Sequence, residues 1–118
     1  MIGVDIVKVE RFANILKDKM GFLERFFSEE ENELFKERNF SPEVIAGNFA
    51  AKEAFFKSIK KPLGSIKLKD ISVLRDGLGA PYFKFSHTYT TEGFELSISH
   101  EKEYAIAFVI KRDYENMG

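Results

Sequence analysis

The sequence predicts an α+β fold, an antiparallel sheet packed on one long, buried helix. Three observations carry this. Before about residue 60, apolar side chains recur at helical spacing; beyond residue 66 they alternate with period two. One helical stretch, from Pro42 to about Lys60, is apolar most of the way round, which marks a helix covered on several sides. At 118 residues the chain is expected to form one domain, 1–118, with a single modest core.

Each element has its own signal. Residues 1–7 alternate, with Ile2, Val4 and Ile6 on one side and Gly3, Asp5 and Val7 on the other, a short strand carrying a carboxylate on its second face. Val9, Phe12, Ala13, Leu16 and Met20 then follow helical spacing, and Gly21 is the expected stop. Ser28 followed by Glu31 forms a capping-box pattern, so a short acidic helix is expected from Glu29 to about Glu37. Ser41-Pro42 opens the long helix, serine as N-cap and proline at the first helical position. Lys61, Pro62 and Gly64 end it. Ile66 and Leu68, then Ile71 and Val73, alternate in two registers offset at Lys69-Asp70, a break or bulge. Asp76-Gly77 marks a turn, 81–85 a strand, 86–93 a polar loop, 94–99 a strand, 100–103 a turn, and 104–110 a nearly continuous apolar strand. The second half therefore reads as an antiparallel meander.

Composition removes several functions. The chain has no cysteine, which excludes a disulfide scaffold, a thiol nucleophile and a cysteine-ligated metal. Two histidines, His87 and His100, exclude a multi-histidine site; His87 falls in the polar loop and receives no role. No apolar run approaches membrane-spanning length, and the charged start lacks a signal-peptide layout, so the expected location is the cytoplasm. A net charge of -1 argues against general nucleic-acid binding. The charge is uneven, however. Six glutamates lie between Glu24 and Glu37, and five lysines with no acid between Lys57 and Lys69. The first helix is basic, with Lys8, Arg11, Lys17 and Lys19. Such runs are ordinarily solvated faces; the sharper reading is a phosphate site near 57–69 and a face for an acidic partner on the first helix. Phenylalanine is also concentrated, nine of 13 falling between Phe12 and Phe56, which means either tight packing or an apolar surface for a partner.

Three short segments carry residues suited to chemistry. In Gly3-Val4-Asp5-Ile6 a carboxylate sits between apolar neighbours and needs a cationic partner or a metal; alone, it is equally a buried salt bridge. In 49–57, Phe-Ala-Ala-Lys-Glu-Ala-Phe-Phe-Lys, Lys52, Glu53 and Lys57 are the charges on an otherwise apolar helix. Glu53 and Lys57 share a face at i,i+4, either as a simple intrahelical ion pair or as a carboxylate and lysine that hold a hard cation and a phosphate oxygen together. In Ser97-Ile98-Ser99-His100 a histidine ends a strand, as a solvated turn residue or as a ligand-facing one.

Together, and in this order, the three segments resemble the signatures of the small bacterial type of 4'-phosphopantetheinyl transferase, the holo-acyl-carrier-protein synthase family. The resemblance covers essentially the whole chain, and Ala-Ala-Lys-Glu-Ala is its most specific piece. It implies the 4'-phosphopantetheinyl transferase fold and transfer of the 4'-phosphopantetheine arm from coenzyme A to a serine of apo-acyl carrier protein, with adenosine 3',5'-bisphosphate as the other product. It implies magnesium held by Asp5 and Glu53, and a catalytic set of Asp5, Glu53 and Lys57. Lys52, Lys57, Gly64 and His100 are expected to contact coenzyme A, along with Gly79, Pro81 and Ser99. Arg11, Lys17 and Arg25 are expected to dock the acidic carrier protein. The implied assembly is a homotrimer with active sites between protomers, with neither nucleic acid nor membrane as a partner. Asn48 stands where the family often has arginine, and Ala80 where Gly-Lys-Pro is usual; Lys52, Lys60 or Lys61 are the candidates to replace the lost cation. The alternative function is a non-catalytic module of the same fold that binds a nucleotide or a carrier protein.

Overall fold

The computed structural model describes residues 1–18, 21–86 and 93–112. Strand β1 (Ile2–Lys8) leads into helices α1 (Val9–Asp18), α2 (Gly21–Phe26), α3 (Glu29–Glu37) and α4 (Pro42–Ser58). A single 3-10 turn (Leu68–Asp70) precedes strands β2 (Ile71–Arg75) and β3 (Pro81–Phe85), and β4 (Phe94–His100) and β5 (Tyr104–Lys111) close the chain. His87 and Lys19 lie outside the described residues, as do Met20 and most of the expected 86–93 loop.

The sheet positions everything else. Strands β1, β5 and β4 form one antiparallel sheet in that order, with Asp5 opposite Ala107 and Ile98 opposite Ala107 on the other side. β2 and β3 form a separate hairpin, so the expected meander is broken between β3 and β4 into two sheets. The pleat sends Gly3, Asp5 and Val7 of β1, with Ala105, Ala107 and Val109 of β5, onto α4. These are small residues, and α4 answers with Ala46, Gly47, Ala50, Ala51 and Ala54, all buried. Backbone therefore meets backbone. A Cβ on Gly3 would lie 2.0 Å from the Ala54 carbonyl oxygen and 2.7 Å from the Ser58 nitrogen, so no other residue fits there.

Local signals account for most boundaries. The Ser28 hydroxyl accepts from the Glu31 amide, and the Glu31 carboxylate accepts from the Ser28 amide, each at 3.1 Å, completing the capping box of α3. Ser41 makes no such cap; its hydroxyl donates to Glu43 Oε2 at 2.8 Å. Gly21 starts α2 rather than stopping the chain's helical course, because an exposed, conformationally free glycine serves either end. At Lys69-Asp70 the two alternating registers are separated by the 3-10 turn, and Ile66 and Leu68 stay outside the strand.

The phenylalanines are mainly packing. Phe12, Phe27 and Phe35 are fully buried, and Phe27 meets Phe35 edge-to-face at 4.9 Å. A second group, Phe55, Phe83, Phe85 and Phe94, joins α4 to the hairpin and to β4, with Phe55 centred 5.1 Å from both Phe85 and Phe94.

The buried polar residues on the other side of α4 form one network. Lys52 Nζ pairs with Glu31 and donates to the carbonyls of Phe26 at 3.0 Å and Leu68 at 2.8 Å, using all three of its protons. Asn48 donates to Glu31 Oε2 and to the Val73 carbonyl, each at 3.0 Å. Burial pushes the Glu31 carboxyl up and the Lys52 ammonium down, and each partner pulls the other back. Lys52 was expected to contact coenzyme A; its fully buried, fully engaged amine corrects that assignment, and it does not replace the cation missing at Asn48. Lys52→Met should cost about 3–5 kcal/mol in urea unfolding, the cost of stranding a buried carboxylate. Adding Glu31→Leu should recover much of that loss. A single substitution costing under about 1 kcal/mol would contradict the structural role.

Candidate active site

The close approach at Gly3 brings the strand's carboxylate to the helix's charged face. Asp5, in the row next to Gly3, points at α4, where Glu53 and Lys57 are one turn apart. Lys57 does not close the intrahelical pair with Glu53 that its spacing allows. Its Nζ crosses to β1, donating to Asp5 Oδ1 at 2.9 Å and to the Val4 carbonyl at 3.1 Å. The Asp5 carboxylate is buried while the Lys57 side chain is 57 % exposed, so the ion pair stands at the mouth of the site with its amine reachable from solvent.

The second oxygen, Asp5 Oδ2, is buried and has no hydrogen-bond partner. Glu53 lies against it. Burial, followed by a proton shared with Asp5 and the repulsion of its charge, raises the Glu53 carboxyl to about 7, and Arg11 and Lys57 oppose the rise. With both groups ionised, two carboxylates facing each other across a buried oxygen that receives no N–H are a poor arrangement for an isolated protein. They suit a hard cation, which takes oxygen ligands and accepts the charge of both. Among the described residues no group of three or more His, Asp or Glu side chains is gathered for a metal. The donor set is therefore a pair, the kind magnesium completes with substrate phosphates and water.

Arg11 flanks this site. Its guanidinium lies over the rings of Phe12 at 5.7 Å and Phe49 at 5.4 Å, within electrostatic reach of Glu53. Lys17 and Arg25 are exposed on α1 and α2, Arg25 5.8 Å from the Phe26 ring.

The remaining expected residues are dispersed. His100 and Ser99 end β4, separated from Asp5 by the whole of β5, and border a cavity of about 290 Å³ with Ile6, Glu101, Tyr104 and Ile106. Gly79 and Pro81 belong to the β2–β3 hairpin, where Gly79 takes a positive φ of 86°. Gly64 lies in the loop after α4, also at positive φ. One chain thus assembles the two carboxylates, Lys57 and Arg11, and leaves its histidine and hairpin turn pointing elsewhere. The outer face of the three-stranded sheet shows why that matters. Ile2, Val4 and Ile6 of β1 and Tyr104, Ile106, Phe108 and Ile110 of β5 form an exposed apolar surface, Ile2 at 63% and Ile6 at 59%. The sequence shows the alternation but not its consequence, because the inward rows, Ala105, Ala107 and Val109 of β5 and, Asp5 apart, Gly3 and Val7 of β1, are apolar as well.

Sequence reasoning missed the Glu31–Asn48–Lys52 network. The i,i+4 spacing of Asn48 and Lys52 on an apolar helix was its available signal, and Glu31 was visible only as a capping residue.

Known proteins share this framework. Residues 1–109 match the model of the 4'-phosphopantetheinyl transferase superfamily. The chain is 39% identical to the holo-[acyl-carrier-protein] synthase of Alkaliphilus oremlandii, over 92% of this chain and 95% of that one. It is 42% identical to that of Clostridium botulinum, over 92% and 94%. Among solved structures it is similar to a holo-(acyl-carrier-protein) synthase from Bacillus anthracis in complex with CoA (3',5'-ADP), with TM-score 0.77, 36% identity and coverage of 92% and 91%. It is also similar to the Helicobacter pylori enzyme in complex with coenzyme A, with TM-score 0.81, 34% identity and coverage of 95% and 100%. With the strand-borne aspartate and helix-borne glutamate and lysine found together, and the match running nearly end to end, the chain belongs to the 4'-phosphopantetheinyl transferase superfamily.

Proposed function

We propose that this chain, acting as one domain, transfers the 4'-phosphopantetheine arm of coenzyme A to a serine hydroxyl of an apo-acyl carrier protein. The observation that carries the reading is the cluster of Asp5, Glu53 and Lys57 at the strand–helix contact, in a chain related over nine-tenths of its length to holo-acyl-carrier-protein synthases. In the reaction the serine oxygen forms a bond to the β-phosphorus of coenzyme A. The bond from that phosphorus to the bridging pyrophosphate oxygen breaks, and adenosine 3',5'-bisphosphate leaves. The serine proton goes to Glu53, the carboxylate of the helix that stands at the mouth of the site beside Asp5 and acts as general base. Lys57, exposed and fixed by Asp5, offers its remaining proton to the departing phosphate oxygen. Asp5 and Glu53 would hold magnesium, which when bound neutralises charge on the pyrophosphate. Arg11, Lys17 and Arg25, exposed on α1 and α2, are the cations offered to an acidic carrier protein. The cysteine-free composition fits a cytoplasmic location, and no helix among the described residues is long and apolar enough to cross a membrane.

We also propose a homotrimer. The apolar outer face of the β1–β5–β4 sheet supports it, because a surface of seven exposed large hydrophobic side chains calls for a cover. The cavity at His100 borders the same face, so a neighbouring copy would complete it.

Two outcomes test these readings. Wild-type protein with coenzyme A, magnesium and apo-carrier protein should add the phosphopantetheine mass to the carrier, and Glu53→Gln should stay folded while turnover falls about 10²- to 10⁴-fold. Full activity in Glu53→Gln would remove its catalytic role, and an unmodified carrier with the wild type would favour the non-catalytic module. Light scattering should give a mass of about three chains, and Phe108→Glu should lower it, since a charge there must be buried unpaired; a wild-type monomer at micromolar concentration would contradict the trimer.

A further inference from the structure

Lys57 is anchored at two points although its side chain is 57 % exposed. Its Nζ donates to Asp5 Oδ1 at 2.9 Å and to the Val4 carbonyl at 3.1 Å, which fixes two of its three protons on β1. Stability alone explains little of this, because an ion pair with so exposed a partner adds little. A nearer partner in sequence is also passed over. Glu53 lies one turn back on α4, at the spacing of an intrahelical pair. The lysine leaves that carboxylate uncapped and caps the one on the strand.

The consequence falls on the aspartate. A carboxylate offers a cation one oxygen or both. Here Oδ1 already accepts from an ammonium, whereas Oδ2 is buried and accepts nothing. Asp5 is 8 % exposed, on a strand pressed backbone to backbone onto α4 at Gly3, so its carboxylate does not swing into water to present both oxygens. Lys57 thus makes Asp5 a one-oxygen ligand. Hard cations respond to this differently. Calcium gathers about 6–8 oxygens and often takes both from one carboxylate. Magnesium is smaller and demands a near-octahedral set, which single carboxylate oxygens, water and substrate phosphates fill. A second oxygen on Asp5 would serve calcium; its removal costs magnesium nothing.

We propose that Lys57 is a positioning residue that sets the choice of metal: by capping Asp5 Oδ1 it leaves Oδ2 as the aspartate's single ligand atom, which favours magnesium over calcium at the Asp5–Glu53 site. This rests on the reading of those two carboxylates as a cation site, and the test separates the two. The full chain, without coenzyme A, is titrated with magnesium chloride and separately with calcium chloride, at one alkaline pH where both carboxyls are ionised. Carbon-detected NMR follows the Asp5 and Glu53 carboxyl signals. Lys57→Met should tighten calcium binding about 10-fold more than magnesium binding, because only calcium gains from the freed oxygen. Lys57→Arg, which keeps a donor for Oδ1, should hold the wild-type ratio. A lysine acting through its charge alone would behave otherwise, since its loss would strengthen both ions equally. An unchanged calcium-to-magnesium ratio in Lys57→Met therefore overturns the proposal and leaves the cation site standing. If neither ion moves the two carboxyl signals, in wild type or variant, the cation site and the proposal fall together.

Discussion

The structure depends on one contact, the approach of β1 to α4 at Gly3. With a Cβ position only 2.0 Å from the Ala54 carbonyl, strand and helix touch through their backbones, and a sheet face lined by alanine allows it. Everything chemical in the molecule follows from that closeness. Asp5 is two residues along the same strand face, so it enters the helix surface rather than solvent. Its oxygens then meet Lys57 and Glu53, which the helix repeat has already set one turn apart. A thicker interface would leave Asp5 with room for water; this one leaves Oδ2 without a partner and the Glu53 proton held to neutral pH.

Helix α4 carries two polar faces with opposite purposes. Toward β2 and α3, Lys52 and Asn48 are sealed against Glu31, and their donors are spent on the protein. Toward β1, Glu53 and Lys57 keep capacity in reserve: one carboxyl raised, one amine open to solvent. Two lysines five residues apart on one helix therefore do different work: burial spends all three protons of the first, while the second, held by Asp5 and the Val4 carbonyl, keeps one for solvent or substrate.

Much of this was legible in the sequence. The alternation of 1–7, the Ser28/Glu31 capping box and the all-round apolar pattern of α4 are local, and local physics decided them. Asp5, Glu53 and Lys57 were also legible, since charges flanked by apolar residues need partners. What escaped depends on distances between segments far apart in the chain. Nothing near Lys52 says that Glu31, 21 residues earlier, will bury it. Nothing in Glu53 and Lys57 says that the lysine will prefer a carboxylate on β1 to one on its own helix. The break of the meander into two sheets escaped for the same reason: β3 and β4 are joined by side-chain packing of Phe83, Phe85 and Phe94 rather than by a hydrogen-bonded ladder.

The central claim is that the strand–helix contact makes Asp5 and Glu53 a single coupled site. A carbon-detected NMR titration of the Glu53 carboxyl in metal-free protein, wild type against Asp5→Asn, tests it most directly. The account predicts a midpoint of about 7 in the wild type and a partial fall in Asp5→Asn, since burial, the larger cause, remains while the aspartate's charge is gone. A wild-type midpoint already in the ordinary range, or one near 7 that Asp5→Asn does not move, would contradict it.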